Sequence, residues 1–169
     1  FIYNHLAAVE SNQLANGHSF SIDSHFVSAK ILIPKYNDSG QRIVRASRKN
    51  EYWRSEYYSR LSNIVVHTPE SDKLDETPSE KKRRKESFFI DAQEAFNENR
   101  PLAIAPEGTS ETPDNVTNKS PGPFRPGAFL LANKLNPRPM IIPIALANFD
   151  FPISKTIYSA VIKEGFYIG

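Results

Sequence analysis

The stretch Leu102-Ala103-Ile104-Ala105-Pro106-Glu107-Gly108-Thr109 changes character in its middle. Its first half is apolar and short, as a buried strand bounded by turn residues is. Its second half opens a segment, Glu107 to Phe124, rich in Gly, Pro, Asn and Thr, and a loop of that length inside a compact domain is usually functional. Upstream, Phe88, Ala92, Ala95 and Phe96 form an apolar stripe among charges, which predicts an amphipathic helix from Glu80 to Asn97. Downstream, the spacing predicts a helix over Gly127–Lys134 and a strand over Met140–Leu146. The order is helix, strand, long loop, helix, strand.

The rest of the chain repeats that alternation. From Ile22, the apolar positions Phe26, Ala29 and Ile33 recur at helical spacing, with Ser21 or Asp23 as a cap and Pro34 as a stop. Asn37-Asp38-Ser39-Gly40 reads as a turn and Arg42-Ile43-Val44-Arg45 as a short strand. An aromatic helix over residues 50–61 and a β-branched strand over Asn63–His67 follow. Thr68 to Ser79 is polar and Pro-containing and reads as a loop, and a last strand is predicted over Ser159–Lys163. The fold class is therefore α/β: a mixed, mostly parallel sheet flanked by helices. With 169 residues, one domain over 1–169 is expected. The apolar start at Phe1-Ile2-Tyr3 and the finish at Phe166-Tyr167-Ile168-Gly169 suggest a piece of a longer protein.

Composition narrows the chemistry. The chain has no cysteine, which excludes disulfides, thiolate nucleophiles and cysteine-ligated zinc. A formal net charge of +2 gives no case for a nucleic-acid partner. No apolar run approaches the roughly 20 residues of a spanning helix. The strongest local charge signal is Lys81-Lys82-Arg83-Arg84-Lys85. Such a run is a solvated helix face in its plainest reading; in its functional one it attracts an anionic phospholipid surface, at about 1 kcal/mol per basic residue.

Three blocks resemble the glycerolipid acyltransferase family, of the 1-acylglycerol-3-phosphate and glycerol-3-phosphate acyltransferase type. Pro106-Glu107-Gly108-Thr109 is similar to the family's P-E-G-T block, Phe124-Arg125-Pro126-Gly127-Ala128 to its basic helix start, and Ile142-Pro143-Ile144 to its proline-centred strand. They stand in the family's order over about 40 residues. The resemblance implies transfer of a fatty acyl group from acyl-CoA or acyl carrier protein, as co-substrate, to a hydroxyl of a glycerol phosphate or lysophospholipid. It implies no further cofactor and no metal. It also implies a phosphorylated glycerolipid acceptor, an anionic membrane surface as partner, and a membrane-associated protein on the cytoplasmic face. Glu107, Gly108, Thr109 and Arg125 become the substrate-binding candidates. Two departures concern phosphate: Ser110 stands where the family commonly has arginine, and Val66-His67-Thr68 lacks the arginine that closes the family's second block. Arg125, Arg45 and Arg83 are the replacements to test.

The family's upstream His-x4-Asp motif has two candidates. His18 and Asp23 have the required spacing; His5 and Glu10 follow an Asn4 like the family's, with Glu in place of Asp. The interval to the next strand favours His18 and Asp23 as the catalytic pair. Residues five apart are about 140° out of phase on an ideal helix. The two therefore cannot sit on one regular helix, whereas a histidine in the turn before the helix and a carboxylate in its first turn can meet. Aspartate then orients one imidazole nitrogen while the other takes the acceptor's proton, the logic of a Ser-His-Asp site with the substrate hydroxyl in the serine's place. His18, Asp23 and Glu107 are expected to converge on one cavity. Two alternatives stay open: a non-catalytic lipid-binding domain of the same fold, and transfer to an amine.

Overall fold

The computed structural model describes residues 1–6, 22–47, 52–67, 76–108, 121–152 and 156–169. The chain opens with β1 (Ile2–Tyr3), then α1 (Ile22–Phe26), a π-helical turn (Val27–Leu32) and α2 (Ile33–Tyr36) in one unbroken run. Next come β2 (Gln41–Arg45), α3 (Tyr52–Arg60), β3 (Ile64–Val66), α4 (Pro78–Asn97) and β4 (Leu102–Ala103). The final elements are α5 (Gly127–Lys134), β5 (Pro143–Ala147) and β6 (Ser159–Ile162). The fold is α/β, as the alternation implies.

The strands form two groups, β3-β2-β4 and β1-β5-β6. An Ile2–Ile104 bridge joins them, with Tyr3 N–H donating to the Ile104 carbonyl at 3.2 Å and Ile104 N–H to Phe1 at 3.0 Å. Among the described residues, the strands pair in parallel except β5 with β6. The Glu107 segment therefore follows an interior strand.

Alternation along the strands divides the core into two layers. Ile43 and Ile64 pack with Ala92 and Ala95 of α4 and Leu131 of α5. On the opposite face, Tyr3, Ala103, Ile144 and Leu146 pack with Val27, Ile31 and Leu32. Arg42 pairs in register with Ala103, so it belongs to the α1 face, with Tyr3.

Several boundaries differ from the sequence reading for identifiable reasons. The first helix does not stop before Pro34. The π turn precedes it and Pro34 lies in the first turn of α2. Helix α4 starts two residues before Glu80, because Thr77 and Glu80 form a reciprocal capping box, with Thr77 N–H donating to Glu80 at 2.8 Å. β5 runs Pro143–Ala147, later than the Met140–Leu146 prediction; Ile141 instead bridges Phe166.

The turn after α2 depends on Gly40, which has φ +75° and whose added Cβ would meet Leu32 Cδ1 at 2.5 Å and the Pro101 carbonyl at 3.0 Å. Leu32 is completely buried. Gly40→Ala should therefore lower stability by about 1–3 kcal/mol, since both the left-handed backbone and the core contact resist a side chain. Denaturant unfolding measures this directly, and a midpoint equal to wild type would contradict it.

Candidate active site

β1 delivers Asn4, His5 and Leu6 to the end of the sheet. The Asn4 side chain locks this segment to β5: its amide donates to the Leu146 carbonyl at 2.9 Å and its oxygen accepts from Leu146 N–H at 2.7 Å. His5 follows immediately. Its Nδ1 lies 2.6 Å from Asp23 Oδ2, and Leu6 N–H donates to the same oxygen at 2.9 Å. The imidazole is 24% exposed and the carboxylate 1%. An ionised carboxylate only accepts, so Nδ1 carries the hydrogen and Nε2 keeps its lone pair. Asp23 sits in the first turn of α1, where the motif argument put it.

The structure brings a different histidine to Asp23. Sequence spacing paired Asp23 with His18 and Glu10 with His5; in the structure Asp23 pairs with His5, 18 residues away. His18 and Glu10 lie outside the described residues. The pairing is a tertiary contact between a strand end and a helix start, so a four-residue spacing rule does not detect it.

Two further charges act on His5. Glu107, buried at the end of β4, favours the imidazolium; Arg42 on β2 opposes it. Burial is the largest influence and lowers the pKa, but the Asp23 hydrogen bond and charge, with Glu107, outweigh it, and the net shift is upward. Arg42 is nine-tenths buried and belongs to none of the side-chain hydrogen bonds or ion pairs among the described residues. It was not among the arginines singled out from sequence.

The structure describes the Pro-Glu-Gly-Thr block as far as Gly108. Gly108 has φ +74°, and an added Cβ would meet Arg125 Cδ at 3.0 Å and Nε at 3.2 Å. Arg125 N–H donates to the Pro106 carbonyl at 2.8 Å. Arg125 is thus brought against the Pro106–Gly108 turn that carries Glu107; Thr109 lies outside the described residues. Of the other arginines, Arg45 donates to the Ala46 carbonyl at 2.8 Å and Arg83 is exposed on α4.

A cavity of about 390 Å³ is lined by residues that include Asn4 and Leu6, the chain neighbours of His5, with Phe124, Pro143, Ala145 and Ala147. It is mostly apolar, with Lys163 and Asp150 among its lining residues. No group of three or more metal-ligating side chains occurs among the described residues, and none of their helices is long and apolar enough to cross a membrane. In comparisons with known proteins, no family model and no curated protein matches the chain.

Proposed function

We propose that the protein is a glycerolipid O-acyltransferase, in which His5 is the general base and Asp23 its orienter. The observation that carries this reading is the 2.6 Å contact between His5 Nδ1 and a carboxylate that is 1% exposed. A buried aspartate bonded to Nδ1 fixes the tautomer in which Nε2 accepts a proton. The acceptor hydroxyl gives its proton to Nε2 as its oxygen attacks the thioester carbonyl. The C–O bond forms, the C–S bond breaks, and the imidazolium returns the proton to the departing thiolate. Glu107, Gly108 and Arg125 support the reading because they bring the family-like blocks together. The cavity flanked by Asn4 and Leu6 has the size and apolar lining that suit the acyl chain.

The test is incubation with a labelled acyl-CoA or acyl carrier protein and a panel of glycerol phosphate, lysophospholipid and amine acceptors. Label in an ester of a phosphorylated glycerolipid supports the reading. Label only in amides, or binding without turnover, overturns it in favour of an N-acyltransferase or a lipid-binding domain.

One prediction rests on the charges around His5 and another on the basic run of α4. Because the imidazole pKa lies above its ordinary 6.5, the base is protonated at acid pH. The kcat/KM should therefore fall on the acid side with a midpoint above 6.5, and a pH profile flat through that region would contradict a histidine base. Lys81, Lys82, Arg83 and Lys85 are exposed on α4. Replacing the run Lys81–Lys85 with serine should weaken binding to anionic vesicles at least tenfold, at about 1 kcal/mol per charge; co-sedimentation checks it.

A further inference from the structure

We propose that Tyr3 and Ser24 are positioning residues of the His5–Asp23 pair, joined in series to hold the Asp23 carboxylate through the oxygen that His5 does not use. The inference rests on the reading of that pair as base and orienter. Tyr3 Oη donates to Ser24 Oγ at 3.2 Å. Ser24 Oγ donates to Asp23 Oδ1 at 3.2 Å, and Ser24 N–H donates to the same oxygen at 2.6 Å. Oδ2 meanwhile serves His5 and Leu6. All three side chains of the series are buried: Tyr3 is 6% exposed, Ser24 6% and Asp23 1%.

The arrangement is a pair of rungs between two elements. β1 supplies Tyr3 and, two residues on, His5; α1 supplies Asp23 and its neighbour Ser24. Residues two apart on an extended chain share a face, so the rungs Tyr3–Ser24 and His5–Asp23 stand side by side. Asn4 and Leu6 already hold the strand end through Leu146 and Asp23 Oδ2; the Tyr3–Ser24 rung adds a hold on Oδ1, so that both carboxylate oxygens, and with them the carboxylate rotamer that the imidazole faces, are fixed. The Tyr3 hydroxyl keeps its proton, because burial first, and then the nearby Asp23 charge, push its pKa up to about 12. It therefore remains a donor throughout the range in which His5 titrates.

The donors on Oδ1 also spread the carboxylate's charge. Without them, more charge faces the imidazole and His5 should hold its proton more tightly. The other groups acting on His5 are Glu107 beyond β4 and Arg42 on β2, and neither is altered by these changes. A purely structural role would show itself in unfolding alone.

The experiment is a double-mutant cycle of Tyr3→Phe and Ser24→Ala in the protein. The His5 imidazole is titrated by NMR, its signal assigned by its loss in His5→Gln. Ser24→Ala should raise the His5 titration midpoint by about half a pH unit and Tyr3→Phe by less. The double variant should match Ser24→Ala, because Tyr3 acts only through Ser24. In the acyl-transfer assay, Ser24→Ala should lower kcat about tenfold with KM nearly unchanged, and its acid limb should move with the NMR midpoint. A His5 midpoint unmoved or lowered in Ser24→Ala, or additive effects in the double variant, overturns the inference. If the wild type transfers no acyl group, the function falls while the titration still decides the positioning role. If transfer occurs and the midpoint is unmoved, the function stands and the positioning role falls.

Discussion

His5→Ala should lower acyl transfer by about 10² to 10⁴-fold, the range a positioned general base contributes. The loss belongs in kcat, because the group acts on the proton that moves in the transition state and not on ground-state binding. Asn4 keeps its two bonds to Leu146 whatever follows it, so β1 should stay docked and the fold should survive. Thermal unfolding of the variant separates loss of the base from loss of structure. His18→Ala is the discriminating comparison. If His18→Ala abolishes transfer while His5→Ala retains it, the base is His18 and the contact with Asp23 is structural.

The contrast between these histidines shows what the sequence could carry. The helices over residues 80–97 and 127–134 are legible because a 3.6-residue stripe repeats long enough to be recognised. The strand at Ile64 is legible because β-branched residues crowd it. β1 is not, since Ile2–Tyr3 is too short to show alternation and its strand character comes from neighbours far along the chain, at Ile104 and Pro143. Without β1 in place, nothing in the sequence puts His5 beside α1. Asp23 was identifiable from its motif and place in a first helical turn, whereas its partner depends on two elements docking. Arg42 was missed for a related reason. Its burial follows from β2 lying between β3 and β4, a property of sheet order that no local pattern encodes.

The Pro34 boundary teaches a different lesson. Proline in a helix interior removes an amide donor and crowds the preceding turn, so a stop there was the sound expectation. The run continues because a π turn over Val27–Leu32 precedes it, changing which carbonyls need a donor. That turn also seats Val27, Ile31 and Leu32 against the sheet. The same helical run thus anchors the core at one end and presents Asp23 to His5 at the other.

Asp23→Asn should lower kcat/KM by about 10² to 10⁴-fold, the scale on which losing the orienter of a His-centred site acts. Asparagine keeps the shape but can no longer accept at both oxygens. If its carbonyl takes the place of Oδ2, the amide nitrogen meets the Ser24 N–H and hydroxyl, which now donate into Oδ1. If the amide is turned, its nitrogen meets Leu6 N–H and His5 Nδ1. The second arrangement favours the tautomer that protonates Nε2, which disables the base. The charge loss adds a measurable sign. Burial lowers the His5 pKa and Asp23 is the chief opposing influence. Removing its charge should therefore shift the remaining activity's acid limb to lower pH even as the plateau falls. His5→Ala cannot produce that signature, nor can a variant that merely unfolds. A plateau as high as wild type would show that Asp23 does not orient the base, and an acid limb that stays in place or moves upward would show that its charge does not act on the base.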